Sequence, residues 1–95
     1  MRFIFDWDDR KNARNKAKHG IAFEDVVSIF SDTLARLHQD YEHGEERYAI
    51  YGCVKGKAIV VVHTAEIMDD NCTLIRIISA RKLTKKELKR YENEL

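Results

Sequence analysis

Apolar and polar positions alternate at the start of the chain. Phe3, Phe5 and Trp7 stand against Arg2, Ile4 and Asp6, the period-two pattern of a short strand. Asp8 can cap a helix running to about residue 19, and Gly20 is a natural left-handed residue to end it. The apolar stripe of that helix is thin, Ala13 and Ala17, so it should lie mostly exposed. Phe23, Val26, Val27 and Phe30 recur at i, i+3, i+4 and i+7, which predicts a second helix over about residues 23–31 with its stripe facing a core. The linker over residues 20–22 is short, so the two helices should form a hairpin or corner.

From there the period changes to two. Residues 34–41 read as a weakly patterned strand, Glu42-His43-Gly44 as a turn, and residues 46–54 as a second strand. Lys55-Gly56-Lys57 reads as a tight turn into residues 58–64, apolar enough to be central. Asp69-Asp70-Asn71 marks the next turn and residues 73–79 another apolar strand. Thr84-Lys85-Lys86-Glu87 is a capping box. It opens a last helix with Leu88, Tyr91 and Leu95 facing inward. The order β-α-α-β-β-β-β-α predicts an α+β class: an antiparallel twisted sheet with helices packed on it. The length suits a single domain over residues 1–95.

Composition narrows the function classes. Apolar residues at 44% and charged residues at 35% describe a globular chain rather than a disordered one. The longest purely apolar run, residues 58–62, is too short to span a bilayer. No secretory leader pattern is visible, and Cys53 and Cys72 form no CxxC pair, so reduced thiols and a cytoplasmic protein are expected. The net charge of +1 argues against a general polyanion binder, but its distribution does not. Residues 10–19 carry Arg10, Lys11, Arg14, Lys16, Lys18 and His19 with no acid among them. Residues 76–90 carry seven cations against Glu87. Two basic blocks therefore stand in a nearly neutral chain.

Three constellations can carry chemistry. Lys18-His19-Gly20 at a helix end either complements the helix dipole or sets a phosphate-binding cation beside a titratable imidazole. Glu45 and Arg47, two apart on one strand, form either a surface ion pair or a carboxylate that orients an arginine on phosphate. Arg76-Ile77-Ile78-Ser79-Ala80-Arg81 puts an arginine in an apolar strand, where burial without a partner is costly. Either Arg76 pairs internally, with Glu45 or Asp32, or it opens onto a groove. Strand parity sets Arg76 with Ile78 and Ala80, and Arg81 with Ile75, Ile77 and Ser79. The two arginines share a face only if a bulge or bend intervenes. His38, Asp40, Glu42 and His43 offer metal-ligand atoms at no familiar spacing. His63 reads as a core histidine. Tyr48 and Tyr51 have opposite parity, so at most one faces any groove. No P-loop, GxGxxG or GxSxG motif is present, and no cofactor is expected.

The ordered set Phe5-Asp6-Trp7-Asp8, Lys11, Asn15, Lys18-His19-Gly20, Phe23-Glu24, Phe30, Asp32, Gly44-Glu45, Arg47, Gly52, Arg76 to Arg81 and Glu87 to Tyr91 resembles BrnT toxins over essentially the whole chain. A polar stretch over residues 66–72 looks like an insertion and affects only a turn length. The resemblance implies a type II toxin–antitoxin system and a fold similar to RelE-type ribonucleases. It also implies RNA cleavage that stops translation, and a cognate ribbon-helix-helix antitoxin that neutralises the toxin. Operator DNA would be reached only through that antitoxin, a dimer that suggests a two-plus-two complex. On that basis Arg47, Arg76 and Arg81 are expected to stabilise phosphate. Glu45 and His19 are acid/base candidates. Lys18, Lys11, Lys82 and Lys85 would hold the RNA backbone, without a metal. The alternatives are a non-catalytic RNA- or protein-binding module on the same fold, or a domain whose arginines pair only internally.

Overall fold

A computed structural model describes residues 2–40 and 46–95. Its elements run β1 (Arg2–Asp6), α1 (Asp9–His19), two 3₁₀ segments (Phe23–Asp25 and Val27–Ser31), β2 (Arg36–Asp40), β3 (Arg47–Val54), β4 (Lys57–Asp69), β5 (Cys72–Lys82) and α2 (Lys85–Glu94). The strands form one sheet in the order β1-β5-β4-β3-β2. The α+β class and the element order are as the pattern predicts. The sheet is mixed rather than wholly antiparallel, because β1 adds to β5 in parallel. That pairing is non-local, and alternation within each strand carries no sign of its direction.

Local chemistry accounts for the ends of the elements. The Asp8 carboxylate accepts from the Arg10 and Lys11 amides, and these bonds, with Lys11 first, hold it below the usual carboxylate range. Gly20 closes α1 at φ 70°. The two-residue turn between β3 and β4 has positive φ at both Lys55 and Gly56, the mirror-image turn that suits hairpin twist. At Thr84 both halves of the capping box are made.

The second helix differs from expectation. Phe23, Val26 and Ile29 are the buried positions, a spacing of three rather than 3.6, and the segment is wound as 3₁₀ turns. The four stripe residues suit either winding, and close packing on the sheet decides between them. The Ile29 side chain comes so near the β3 backbone that a Cβ on Gly52 would meet it at 2.9 Å. Residues 66–72 are the end of β4, a turn and the start of β5, with the register shifted between Ile67 and Asp69.

Register sorts the sheet into two faces. One face is sealed by Phe23, Val26 and Ile29 packing on Ile50, Val54, Ile59, Val61, Ile75 and Ile77, with Phe3 and Phe5 at the rim. On it Asn15 of α1 makes both amide ends useful: it donates to the Ile21 and Ala80 carbonyls at 2.8 Å each and accepts from the Ala80 amide at 3.1 Å. His63 lies on this face too, 2% exposed, against Phe30 and Tyr48. The other face carries a smaller cluster, Ala49, Tyr51, Val60 and Tyr91, beneath α2.

Candidate active site

The open face reads as three parallel rows crossing the strands. In the first, Arg36, Tyr51, Val60 and Arg81 are successive cross-strand partners. In the second, the partners are His38, Ala49, Val62 and Ser79. The third holds Asp40 opposite Arg47 on one side of the sheet, and Thr64, Arg76 and Asp6 in register on the other.

This order depends on one extra residue. Val62 pairs with Ser79 and His63 with Ile77, so Ile78 is bulged out of the ladder. Simple parity would put Arg76 with Ala80 on the sealed face and Arg81 with Ile77 and Ser79 on the other. The bulge breaks that alternation: Arg76, Ser79 and Arg81 share the open face, while Ile75, Ile77 and Ala80 stay in the core.

Helix α2 lies along the first row and is tied down mainly by polar contacts. Glu87 grips Arg81 with both oxygens, at 2.7 and 3.0 Å. The Arg81 hydrogen bond is the leading reason the Glu87 carboxyl is held down at about 2. Arg90 stacks over the Tyr51 ring at 4.9 Å. His38 Nε2 lies 3.0 Å from both Glu94 oxygens. Arg36 donates to the Glu94 carbonyl and the Tyr91 hydroxyl to the Leu34 carbonyl. Tyr91 is the buried apolar anchor. The expected inward positions Leu88 and Leu95 are exposed, because the helix covers polar sheet positions rather than an apolar layer.

Beside α2 the second row is left as the floor of a groove of about 660 Å³. Its floor is small and uncharged: Ala49, Val62 and Ser79. Its walls are charged or titratable: Arg81, Glu87 and Arg90 on one side, His38 at one end, and Lys18 and His19 at the other. The C-terminal end of α1 reaches the groove because Asn15 pins that helix over Ala80. A shallower shelf continues along α1 past Lys11 and Arg14, sharing Lys18, His19 and Ser79 with the groove.

The sequence-predicted residues are therefore only partly gathered. Arg81, His19 and Lys18 line the groove, and Lys11 lines its shelf. Arg76 stands on the same face in the third row, about 13 Å along the strands from Arg81. It does not line the groove, and it is paired with Asp6 at 2.6 Å rather than with Glu45 or Asp32. Asp32 instead accepts from the Leu34 and Cys53 amides. Arg47 is half-buried in that third row. Lys82 and Lys85 are exposed and line no part of the groove. Glu45 lies outside the described residues, as do Glu42 and His43 of the metal-ligand candidates. Among the described residues no cluster of three or more His, Cys, Asp or Glu side chains could hold a metal ion.

Both arginines of the Arg76–Arg81 segment are ion-paired, but neither is buried: their side chains keep 51% and 39% of their exposure. That is not the signature of arginines committed to the core. His63 is a core histidine, as its apolar strand implies: burial pushes its imidazole down to about 4 and a backbone carbonyl holds its Nδ1. Tyr51 faces the groove and Tyr48 the core, as opposite parity requires. Glu87 and Arg90 are not among the expected site residues: Glu87 is hidden by its capping role, and Arg90 faces the groove only once α2 has docked.

Among the described residues no helix is long and apolar enough to cross a membrane. No curated protein matches the chain. A family model does: that of the ribonuclease toxin BrnT, of a type II toxin–antitoxin system, matches residues 7–87. The match takes in the α1 basic block, the groove floor, the β5 arginines and Glu87, and it shows that the chain belongs to the BrnT family of ribonuclease toxins.

Proposed function

We propose that the open-face groove binds single-stranded RNA and cleaves it without a metal ion, in the cytoplasm, so that translation stops. The observation that carries this reading is the meeting of Lys18, His19 and Arg81 around one small-residue floor, drawn from α1 and β5, which are far apart in sequence. A phosphodiester on that floor would lie beside cations on two sides, where the developing phosphorane charge needs them. Arg47 and Arg76, in the neighbouring row, would hold the adjoining phosphates. Lys18, Lys11, Lys82 and Lys85 would guide the backbone, with affinity falling as salt rises.

The step is a transesterification. The 2′-oxygen loses its proton to a base and bonds to phosphorus, and the bond from phosphorus to the 5′-oxygen breaks. The leaving oxygen takes a proton from an acid. Glu45 and His19 are the candidates for those two roles. The products are a 2′,3′-cyclic phosphate and a 5′-hydroxyl. A ribbon-helix-helix antitoxin would neutralise the toxin and with it repress their operon.

The test is to map the cleaved ends of a defined RNA with the wild type and with Arg76→Ala and Arg81→Ala. Cyclic or 3′-phosphate ends, formed in chelator and lost in the variants while the fold is kept, are expected. Ends bearing a 3′-hydroxyl, or strict Mg²⁺ dependence, would overturn the mechanism.

A further inference from the structure

The same groove holds a second imidazole at its other end. We infer that His38 is the base that takes the 2′-hydroxyl proton, and that Glu94 positions it. The inference rests on the ribonuclease reading and assigns a role within it.

Three observations carry it. The first is orientation. A carboxylate can only accept, so with both Glu94 oxygens at 3.0 Å from Nε2 that nitrogen must carry the shared hydrogen. In the neutral ring Nδ1 is then the atom with a lone pair, and it makes no hydrogen bond among the described residues. A carboxylate that fixes the tautomer of a histidine is how a general base is prepared.

The second is rigidity. The ring also meets the Tyr51 ring edge-on at 5.4 Å. Glu94 is itself held through its backbone by Arg36 and flanked by Arg90 at 3.8 Å. The third is place. His38 lies in the same cross-strand row as Ala49, Val62 and Ser79, so it stands at the edge of the groove floor without a bulky residue between. At the Ser79 end, about three strand spacings or roughly 14 Å away, His19 closes the groove.

The charged groups facing the ring are Glu94 and Arg90 from α2, Arg36 and Asp40 from its own strand, and Arg47 cross-strand from Asp40 on β3. The proton balance is closed. As the 2′-oxygen bonds to phosphorus, its proton passes to Nδ1 of His38. As the bond to the 5′-oxygen breaks, that oxygen takes a proton from solvent water, because His19, roughly 14 Å along the row, is out of reach of the same phosphate. Exchange with solvent restores the ring. His38 then takes the base role in place of Glu45 or His19.

Single-turnover cleavage of a defined RNA across a pH range tests this on the full chain, with His38→Ala, His38→Gln and Glu94→Gln checked for fold by circular dichroism. His38→Gln is expected to lower the maximal rate at least 100-fold with little change in KM, and to remove one limb of the pH profile. Added imidazole is expected to restore part of the rate of His38→Ala. Glu94→Gln is expected to cost about tenfold and to move that same limb without abolishing it.

A folded His38→Gln that keeps the wild-type rate and profile overturns the assignment. So does a slow His38→Ala with an unchanged profile and no response to imidazole, which would mark the His38–Glu94 pair as an anchor for α2. Both results leave the ribonuclease reading standing. A wild type that cleaves no RNA overturns that reading and this assignment together.

Discussion

The two faces of the sheet are built from the same strands by opposite means. On the sealed face, apolar side chains from the 3₁₀ segments drop between those of β3, β4 and β5, and Phe23 and Ile29 are fully buried. On the open face, α2 meets the strands through one buried tyrosine and a set of charged or aromatic contacts. Burial of apolar area stabilises by about 25 cal/mol per Å² and does not depend on direction. Ion pairs in partial contact with water contribute little each, yet they fix geometry. The sealed face holds the fold, and the open face holds side chains at defined angles beside a groove.

The sharpest way to break this contrast is to cut into each face in turn. Phe23→Ala on the sealed face is expected to cost about 4 kcal/mol, enough to threaten folding of so small a domain. Chemical denaturation will measure it. A loss below 1 kcal/mol would mean the sealed face is not where stability resides. On the open face, Arg81→Ala is expected to change stability by about 1 kcal/mol or less and to lower RNA cleavage on the order of 100-fold. A variant that unfolds would reverse the comparison.

Gly52→Val probes how tightly the 3₁₀ segment seals the sheet. Its Cβ would press on Ile29 at 2.9 Å and on the Asp32 carboxylate at 3.1 Å, so a loss of about 1–3 kcal/mol is expected from thermal unfolding. Gly52→Ser, slightly smaller, should lose less. The smallest effect concerns the grip of α2. Folding lowers the Glu87 carboxyl from 4.5 to about 2. Its contribution is therefore fully present above about pH 4.5 and is lost as pH falls from there to about 2. Because Arg81 remains 39% exposed, the contribution is held to about 1 kcal/mol. Glu87→Gln keeps the capping geometry and removes the charge. Its stability deficit should be present at pH 7 and vanish near pH 2. A constant deficit across that range would assign the effect to the cap.

Much of this architecture is readable from residue order, for local reasons. Asp8, Gly20, the Lys55–Gly56 turn and Thr84 act within a few residues of themselves, so each marks an element end correctly. The central strand announces itself because residues 58–62 are apolar on both faces. The 3₁₀ winding is not announced, since Phe23, Val26, Val27 and Phe30 satisfy both periods. The parallel docking of β1 on β5 is equally silent. For the site, His19 and Arg81 stand out as charges beside apolar or capping positions. His38 does not, because its significance comes from Glu94, a residue of a helix that packs back across the sheet.

The Arg76–Arg81 segment marks the boundary between the two kinds of knowledge. The sequence by itself determined that two arginines sit in an apolar strand, and that alternation alone would send them to opposite faces. Tertiary structure decided otherwise by bulging Ile78, which keeps Ile75, Ile77 and Ala80 in the core and both arginines on the open face. The reason is energetic. Either regular register would bury a guanidinium or expose the isoleucines, whereas the bulge gives up a local break in the ladder.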